Sequence, residues 1–339
     1  QKLTHDQVAE LAKRFILREE DRADLDHLLD YDCSWGLPGL GRFRVNILRQ
    51  RGSFSIVMRV IPIDVPTVEE LRLPPVIKQI AEHERGLILV TGVTGSGKSS
   101  TMAAMIHHIN QVSSKHIVTL ENPIEFLHRD NKCSITQRDV GTDTESFKTG
   151  LRAALRQDPD VILIGEMRDK ETIDIALRAA ETGHLVISTV HTKNAVQTLS
   201  RLVAVFEPSE QEMIRIRLAD GLQAVISQRL LPMKDGSSRR VAVEVMNVTG
   251  TIRDCIREQD RLEEIGDLIA GGRTQYGSQT FDQHLMDLVK EDIIDFEVAK
   301  AHANNPNDFD LKLRGFGDSK PDMGGSGGYS DSAIERYGS

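Results

Sequence analysis

The chain has 339 residues, room for two packed domains, and its 39% hydrophobic and 27% charged content excludes both a disordered polymer and a membrane-embedded protein. Only 4% of residues are aromatic and the net charge is −9, so neither a base-stacking surface nor an overall attraction for nucleic acid or anionic lipid is on offer, and only a local basic patch could supply one. The 3 cysteines, Cys33, Cys133 and Cys255, are odd in number, far apart and without a CxxC pair, which excludes a disulfide framework or zinc ribbon and predicts reduced structural thiols in a cytoplasmic protein.

Over 4–63 a helical pattern (Val8, Leu11, Ala12, Phe15) gives way to β-like runs at 43–48 and 54–61, punctuated by Gly36, Pro38, Gly39 and Gly41. This predicts a small α+β domain over 1–65, expected to be truncated at its start; the chain begins at Gln1 with no visible signal peptide, which is read as a processed, truncated or partial end. Pro62, Pro66, Pro74 and Pro75 then predict a stiff linker, 66–85. From Gly86 the pattern alternates: continuous apolar, β-branched runs at 87–91, 117–120, 161–164 and 185–189 are separated by helical segments that include 99–111 and 147–156. Such runs are what strands covered by helices on both faces look like, so 86–232 reads as an α/β core with a parallel sheet. All of them fall far below the ~18 apolar residues needed to cross a bilayer, so no direct membrane insertion is expected. After Pro232 the chain reads as mainly helical to about 302, giving a C-terminal helical part over 233–314. The Gly-, Ser- and Asp-rich 315–339 reads as a disordered tail.

The chemistry is expected at the strand ends. Gly92-Val93-Thr94-Gly95-Ser96-Gly97-Lys98-Ser99 fits GxxxxGK[ST] and lies between a predicted strand and a predicted helix, the context a phosphate-binding loop requires. Glycines let backbone amides curl around phosphate oxygens, and the following helix presents its positive end to the same anion. Gly92, Thr94, Gly95, Ser96, Gly97, Lys98, Ser99 and Ser100 are therefore the candidate ATP/ADP-binding residues, with Lys98 on the β- and γ-phosphates and the Ser99 hydroxyl on Mg²⁺. The next strands end in Glu121-Asn122-Pro123-Ile124-Glu125 and in Gly165-Glu166-Met167-Arg168-Asp169. Ligands bind beyond the carboxyl ends of parallel strands, which brings Glu121 and Glu166 toward the γ-phosphate and metal. Glu166 can polarise the attacking water or hold Mg²⁺ through water, or else serve only as a helix cap or ion-pair partner. Glu121 carries the same pair of readings, and Glu125 could equally be a solvated loop charge. His191 ends the fourth strand, where a ring N–H could sense the γ-phosphate or be merely structural.

These motifs, together with Glu181-Thr182-Gly183-His184 running on to His191-Thr192, occur in an order that resembles the Walker A, "Asp box", Walker B and "His box" of the type II/IV secretion ATPase superfamily. Over about 25–309 the chain is most similar to PilT-type retraction ATPases. The resemblance implies a RecA-like ATPase domain beside a PAS-like N-terminal domain, with His184 and His191 coupling phosphate loss to movement. Pro38-Gly39-Leu40-Gly41-Arg42-Phe43-Arg44-Val45-Asn46 resembles the part of that domain whose basic residues approach the phosphates. Arg42, Arg44 and Arg51 are the candidates, followed by Arg59, against a solvated basic strand face. Thr251-Ile252-Arg253-Asp254-Cys255-Ile256-Arg257-Glu258 resembles the AIRNLIRE helix of the family, with Ile252 and Ile256 on one stripe and Arg253 and Arg257 on another.

The family further implies a homohexamer recruited to the inner face of the cytoplasmic membrane at the pilus base, an inner-membrane platform protein and a paralogous pilus ATPase as partners, and no nucleic acid. The chain departs from the pattern in four ways. Asn122 stands where the Asp box has a second carboxylate. Thr251, Asp254 and Cys255 replace Ala, Asn and Leu in the helix. The extreme N-terminal stretch of the family is not matched, since Gln1 aligns some way into it. The tetracysteine insert typical of extension-type relatives is excluded by three scattered cysteines, which favours retraction over extension. An accessory paralogue that hydrolyses weakly and a RecA-type nucleic-acid translocase are the rival readings.

Overall fold

The structure is a computed structural model that describes residues 2–16, 19–25, 27–37, 41–62 and 64–315. The predicted turn residues Pro38 and Gly39, with Leu40, lie outside the described residues, as does the predicted tail from 316 onward.

The chain opens with α1 (His5–Phe15), capped by a reciprocal pair in which Thr4 and Gln7 side chains each accept from the other's backbone N–H. After α2 (Glu19–Ala23), β1 (Asp30–Leu37), β2 (Gly41–Gln50) and β3 (Ser53–Ile61) form an antiparallel sheet in the order β1-β2-β3. Alternation along β2 sends Val45 and Ile47 to one face, where they pack with Ala12, Phe15, Ile16, Leu25 and Cys33. Arg42, Arg44 and Asn46 take the opposite face. The predicted linker is not a free spacer. It contains α3 (Val76–Ala81), whose Val76, Ile77, Ile80 and Ala81 are buried in the core of the next domain.

That domain comprises β4 (Gly86–Gly92), α4 (Lys98–Val112), β5 (His116–Glu121), β6 (Ser134–Asp139), α5 (Phe147–Ala154), β7 (Val161–Ile164), α6 (Lys170–Glu181), β8 (Leu185–Val190), α7 (Ala195–Val203), α8 (Gln211–Gly221), β9 (Leu222–Pro232) and β10 (Arg239–Asn247). Its 7-stranded sheet has the order β10-β9-β4-β8-β7-β5-β6, all parallel except β10. Every residue of β4, β7 and β8 is buried, in keeping with sequences that are apolar but for Thr91, Ser188 and Thr189. The strand order reverses at β4, which makes its carboxyl end a crevice for a ligand.

The division expected at 232 does not hold. Pro232 pairs with Arg239 at the turn end of a β9–β10 hairpin, so the core sheet runs on to Asn247. The helical part begins only with α9 (Gly250–Arg257) and, after a 3₁₀ turn (Gln259–Glu264), continues through α10 (Ile265–Gly271), α11 (Arg273–Tyr276), α12 (Phe281–Lys290), α13 (Phe296–His302) and α14 (Pro306–Gly315). Phe281, Leu285, Leu288, Ile294 and Phe309 close over Leu231 and Ala242 of the hairpin. The three cysteines are free and buried, as expected. Among the described residues no helix is long and apolar enough to cross a membrane.

Candidate nucleotide site

The loop after β4 has left-handed backbone at Gly92, Gly95 and Gly97 (φ +144°, +79° and +93°). At Gly92 a Cβ would stand 2.4 Å from Ser96 Oγ and 2.6 Å from the Gln228 carbonyl, so only glycine fits. Gly95 and Gly97 instead line an open cleft of 590 Å³, and a Cβ at either would project into free space. The loop is thus shaped for close approach of a ligand to its backbone. No side chain caps α4 at Gly97, which leaves the amides of its first turn to an anion. Lys98 Nζ donates to the Gly92 and Val93 carbonyls, each at 3.0 Å, and is held across the loop mouth. Burial lowers its pKa, while the charges of Glu125 and Glu166 pull the other way.

Two carboxylates line the cleft from the ends of the neighbouring strands β5 and β7. Glu121, last in β5, accepts from Thr119 Oγ1 at 2.7 Å and Gln137 Nε2 at 3.1 Å, and burial pushes its pKa up against those hydrogen bonds. Glu166 follows β7 across Gly165, whose N–H donates to the Leu120 carbonyl at 2.7 Å. Its Oε2 accepts from Arg168 Nη2 at 2.7 Å and lies 3.7 Å from His191 Nε2. The His191 pKa is lowered by burial and then by the charge of Lys98. Lys98, Ser99, Ser100, Thr94, Glu121, Asn122, Glu125, Glu166, Arg168 and His191 all line the one cleft.

The arginines divide. Arg44 and Arg59 reach the cleft from the small sheet. Arg42 does not line it: its Nη2 donates to Ser34 Oγ at 2.6 Å and pairs with Asp139. Arg51 sits in the β2–β3 turn (φ +51°), exposed and away from the cleft. His184 precedes β8 and its Nδ1 packs against the Ala179 carbonyl at 2.9 Å. Seven strand steps, about 20 Å, separate it from His191, so it cannot meet the same phosphate within one subunit. Gly92 and Ser96 lie behind the loop. Ser96, Gly97 and Ser100 border a second cavity of 500 Å³, closed by Leu71, Leu230 and Arg240.

Sequence reasoning passed over Arg168, although it stands two places after Glu166 in the quoted motif. It also missed Gln137, for which a polar edge strand offered no signal. The donor set suits Mg²⁺. Among the described residues no group of three or more His, Cys, Asp or Glu could cage a metal. A hard cation held by one hydroxyl, a carboxylate through water, and phosphate oxygens fits Ser99 and Glu166 instead.

In α9, Ile252, Cys255 and Ile256 are buried, while Arg257 pairs with Asp220 at 2.6 Å and Asp254 at 3.1 Å. The charged stripe is therefore partly engaged within the chain. Arg253 keeps a buried Nε without a hydrogen-bond partner.

The model of the type II/IV secretion system protein family matches residues 40–286. The chain is 46% identical over 294 residues to the type IV pilus retraction ATPase PilT of Pseudomonas aeruginosa, covering 87% of this chain and 85% of that protein. It is 40% identical over 301 residues to the type IV pilus ATPase PilU of the same organism, covering 88% and 78%. A crystal structure of the pilus retraction motor PilT with bound ADP superposes with a TM-score of 0.83 at 43% identity, over 91% of this chain and 86% of that one. The phosphate loop, the facing carboxylates and a family match over most of the sequence lead to one statement of kinship: this chain belongs to the type II/IV secretion system ATPases.

Proposed function

We propose that this chain is an Mg²⁺-dependent ATPase motor that drives type IV pilus retraction as a homohexamer at the cytoplasmic face of the membrane. One observation carries the reading: Lys98, which opens α4 after the β4 loop, and Glu166, just past β7, converge on a single cleft. The similarity to PilT and its ADP complex supplies the nucleotide and the task. ATP phosphates rest on the loop amides between Gly92 and Ser99, with Lys98 released from its carbonyl partners onto the β- and γ-oxygens. The nucleoside half extends into the second cavity beside Leu71, Leu230 and Arg240. Mg²⁺ would be held by Ser99 and, through water, Glu166, and it supplies neutralisation of phosphate charge. Glu166 orients the water for in-line attack and takes its proton. His191, against both Glu166 and Lys98, is placed to register phosphate loss. Arg44 and Arg59 approach the γ-phosphate from the other domain, so turnover is tied to domain closure.

A second reading, an accessory retraction ATPase, is favoured by Asn122, which puts an uncharged amide where a metal-side carboxylate is expected, and by the similarity to PilU. Steady-state ATPase assays of the purified chain, electron microscopy for rings, and restoration of twitching in a retraction-deficient strain test both. Robust turnover with restored motility supports the motor. Turnover that appears only on mixing with a second pilus ATPase supports the accessory role. Turnover stimulated by DNA, with binding that weakens steeply in salt, would replace both by a translocase.

A further inference from the structure

Arg42 was expected at the phosphates and is found elsewhere, in the polar contact that joins the two domains. Ser34 Oγ on β1 donates to Asp139 Oδ2 at 2.8 Å. Arg42 Nη2 on β2 donates to Ser34 Oγ at 2.6 Å and lies 3.4 Å from the same carboxylate oxygen. Asp139 is 3% exposed and Ser34 6%. Burial pushes the Asp139 carboxyl up, and the Ser34 hydrogen bond and Arg42 charge oppose it. A carboxylate so enclosed is tolerable only with its partners in place, which makes the contact sensitive to small displacements.

The geometry on either side gives this contact a purpose. Arg42 and Arg44 point to the same face of β2, about 7 Å apart along the strand. Arg44 is in turn the direct cross-strand neighbour of Arg59. Fixing Arg42 therefore fixes where both cleft arginines stand. On the core side, Asp139 is in register with Glu121, Val140 N–H donates to the Glu121 carbonyl at 2.8 Å, and Gln137 of the same strand holds the Glu121 carboxylate. β6 thus ties the small domain to one wall of the cleft.

We propose that Arg42, Ser34 and Asp139 form an interdomain latch that positions Arg44 and Arg59 over the cleft, with Arg42 a positioning residue and not a phosphate ligand. The inference rests on the reading of Arg44 and Arg59 as phosphate-facing.

The test is a double-mutant cycle in the full chain. Asp139→Asn keeps the shape and removes the charge. It is expected to lower kcat three- to tenfold with KM for ATP within twofold, because the phosphate loop is untouched. Arg42→Gln should do the same, and Arg42→Lys should stay within twofold of wild type. In a background lacking both cleft arginines, Arg44→Gln with Arg59→Gln, Asp139→Asn should lower kcat less than twofold further. The same factor in both backgrounds means a merely structural contact and overturns the proposal. A second measurement does not depend on catalysis. Val57 and Val112 are exposed, so Val57→Cys and Val112→Cys can carry a distance-reporting pair while the native cysteines stay buried. With labelled chain diluted into unlabelled chain, Asp139→Asn should broaden the distance distribution, and an unchanged one overturns the latch. Wild-type turnover in Arg44→Gln would instead sink the role given to the arginine pair, and the positioning claim with it. The distances would then still report whether the domains are joined at Asp139.

Discussion

Arg44 and Arg59 stand directly opposite each other on β2 and β3, and both line the cleft whose far wall carries Lys98. Like charges in direct cross-strand register repel, typically by a few tenths to about 1 kcal/mol. An anion seated before them would relieve that repulsion. Arg44→Gln should therefore act in opposite directions on stability and activity. Turnover is expected to fall at least tenfold, since an arginine at a transferring phosphoryl group contributes on the order of 10³-fold or more. The melting temperature without nucleotide should hold or rise slightly. Paired thermal melts and steady-state assays check this, and a drop of several degrees with normal turnover would mark the pair as structural.

Glu166→Gln keeps the side-chain shape and hydrogen-bonding capacity beside Arg168 and His191 but cannot take a proton. Turnover should fall by roughly 10²-fold or more, as for other positioned catalytic groups. Nucleotide affinity, set by the Gly92-to-Ser99 loop, should change only a few-fold. Titration with a fluorescent ATP analogue alongside single-turnover hydrolysis separates the two. Hydrolysis near the wild-type rate would move the base to Glu121.

The phosphate loop, the β5 and β7 carboxylates and His191 were legible because each follows a buried, nearly continuous apolar run. That is what a strand running from a covered sheet into a crevice must look like. Where the site depends on which residues face each other across separate chain segments, the sequence was mute. Arg42, Arg44, Arg51 and Arg59 are alike in type, and only strand pairing and a turn sort two into the cleft, one into the Asp139 latch and one into solvent. His184 was misplaced because a motif implies neighbours, whereas a strand carries its two ends about 20 Å apart. β10 was overlooked although Val241, Val243 and Val245 alternate with Ala242, Glu244 and Met246, since the surrounding helical segments dominated the reading. β6 is an edge strand, SITQRD, with too few apolar residues to announce itself.

The α9 arginines give a prediction that isolates force transmission from hydrolysis. Arg257 is held by Asp220 and Asp254 on an exposed surface, where such pairs contribute about 0–1 kcal/mol. Arg253→Ala with Arg257→Ala should leave ATPase activity within about twofold and abolish twitching, if this stripe meets a partner. Asp220→Ala, which removes one of the two carboxylate partners of Arg257 and keeps the arginine, should retain both. Normal twitching in the double variant would reduce α9 to a packing element.

A buried histidine contributes to the acid sensitivity of the fold. His284 Nδ1 accepts from the Val243 N–H at 2.9 Å, which places the ring proton on Nε2 and requires a neutral imidazole. Burial, joined by the charges of Arg240 and Arg273 and opposed by Asp287, lowers its pKa from the ordinary 6.5 to about 4. Because the folded value lies below the unfolded one, the stability from this neutral ring is fully present above about pH 6.5 and is lost as pH falls toward 4. A difference of that size corresponds to about 3 kcal/mol. His284→Gln retains an acceptor for Val243 but cannot titrate. Its deficit against wild type should be largest near neutrality and shrink as pH falls from 7 to 4. His128, also held to about 4 by burial, leaves the variant some acid sensitivity of its own. Melting temperatures of both proteins across this range measure the effect, and curves that stay parallel would mean that His284 titrates alike in the folded and unfolded chains.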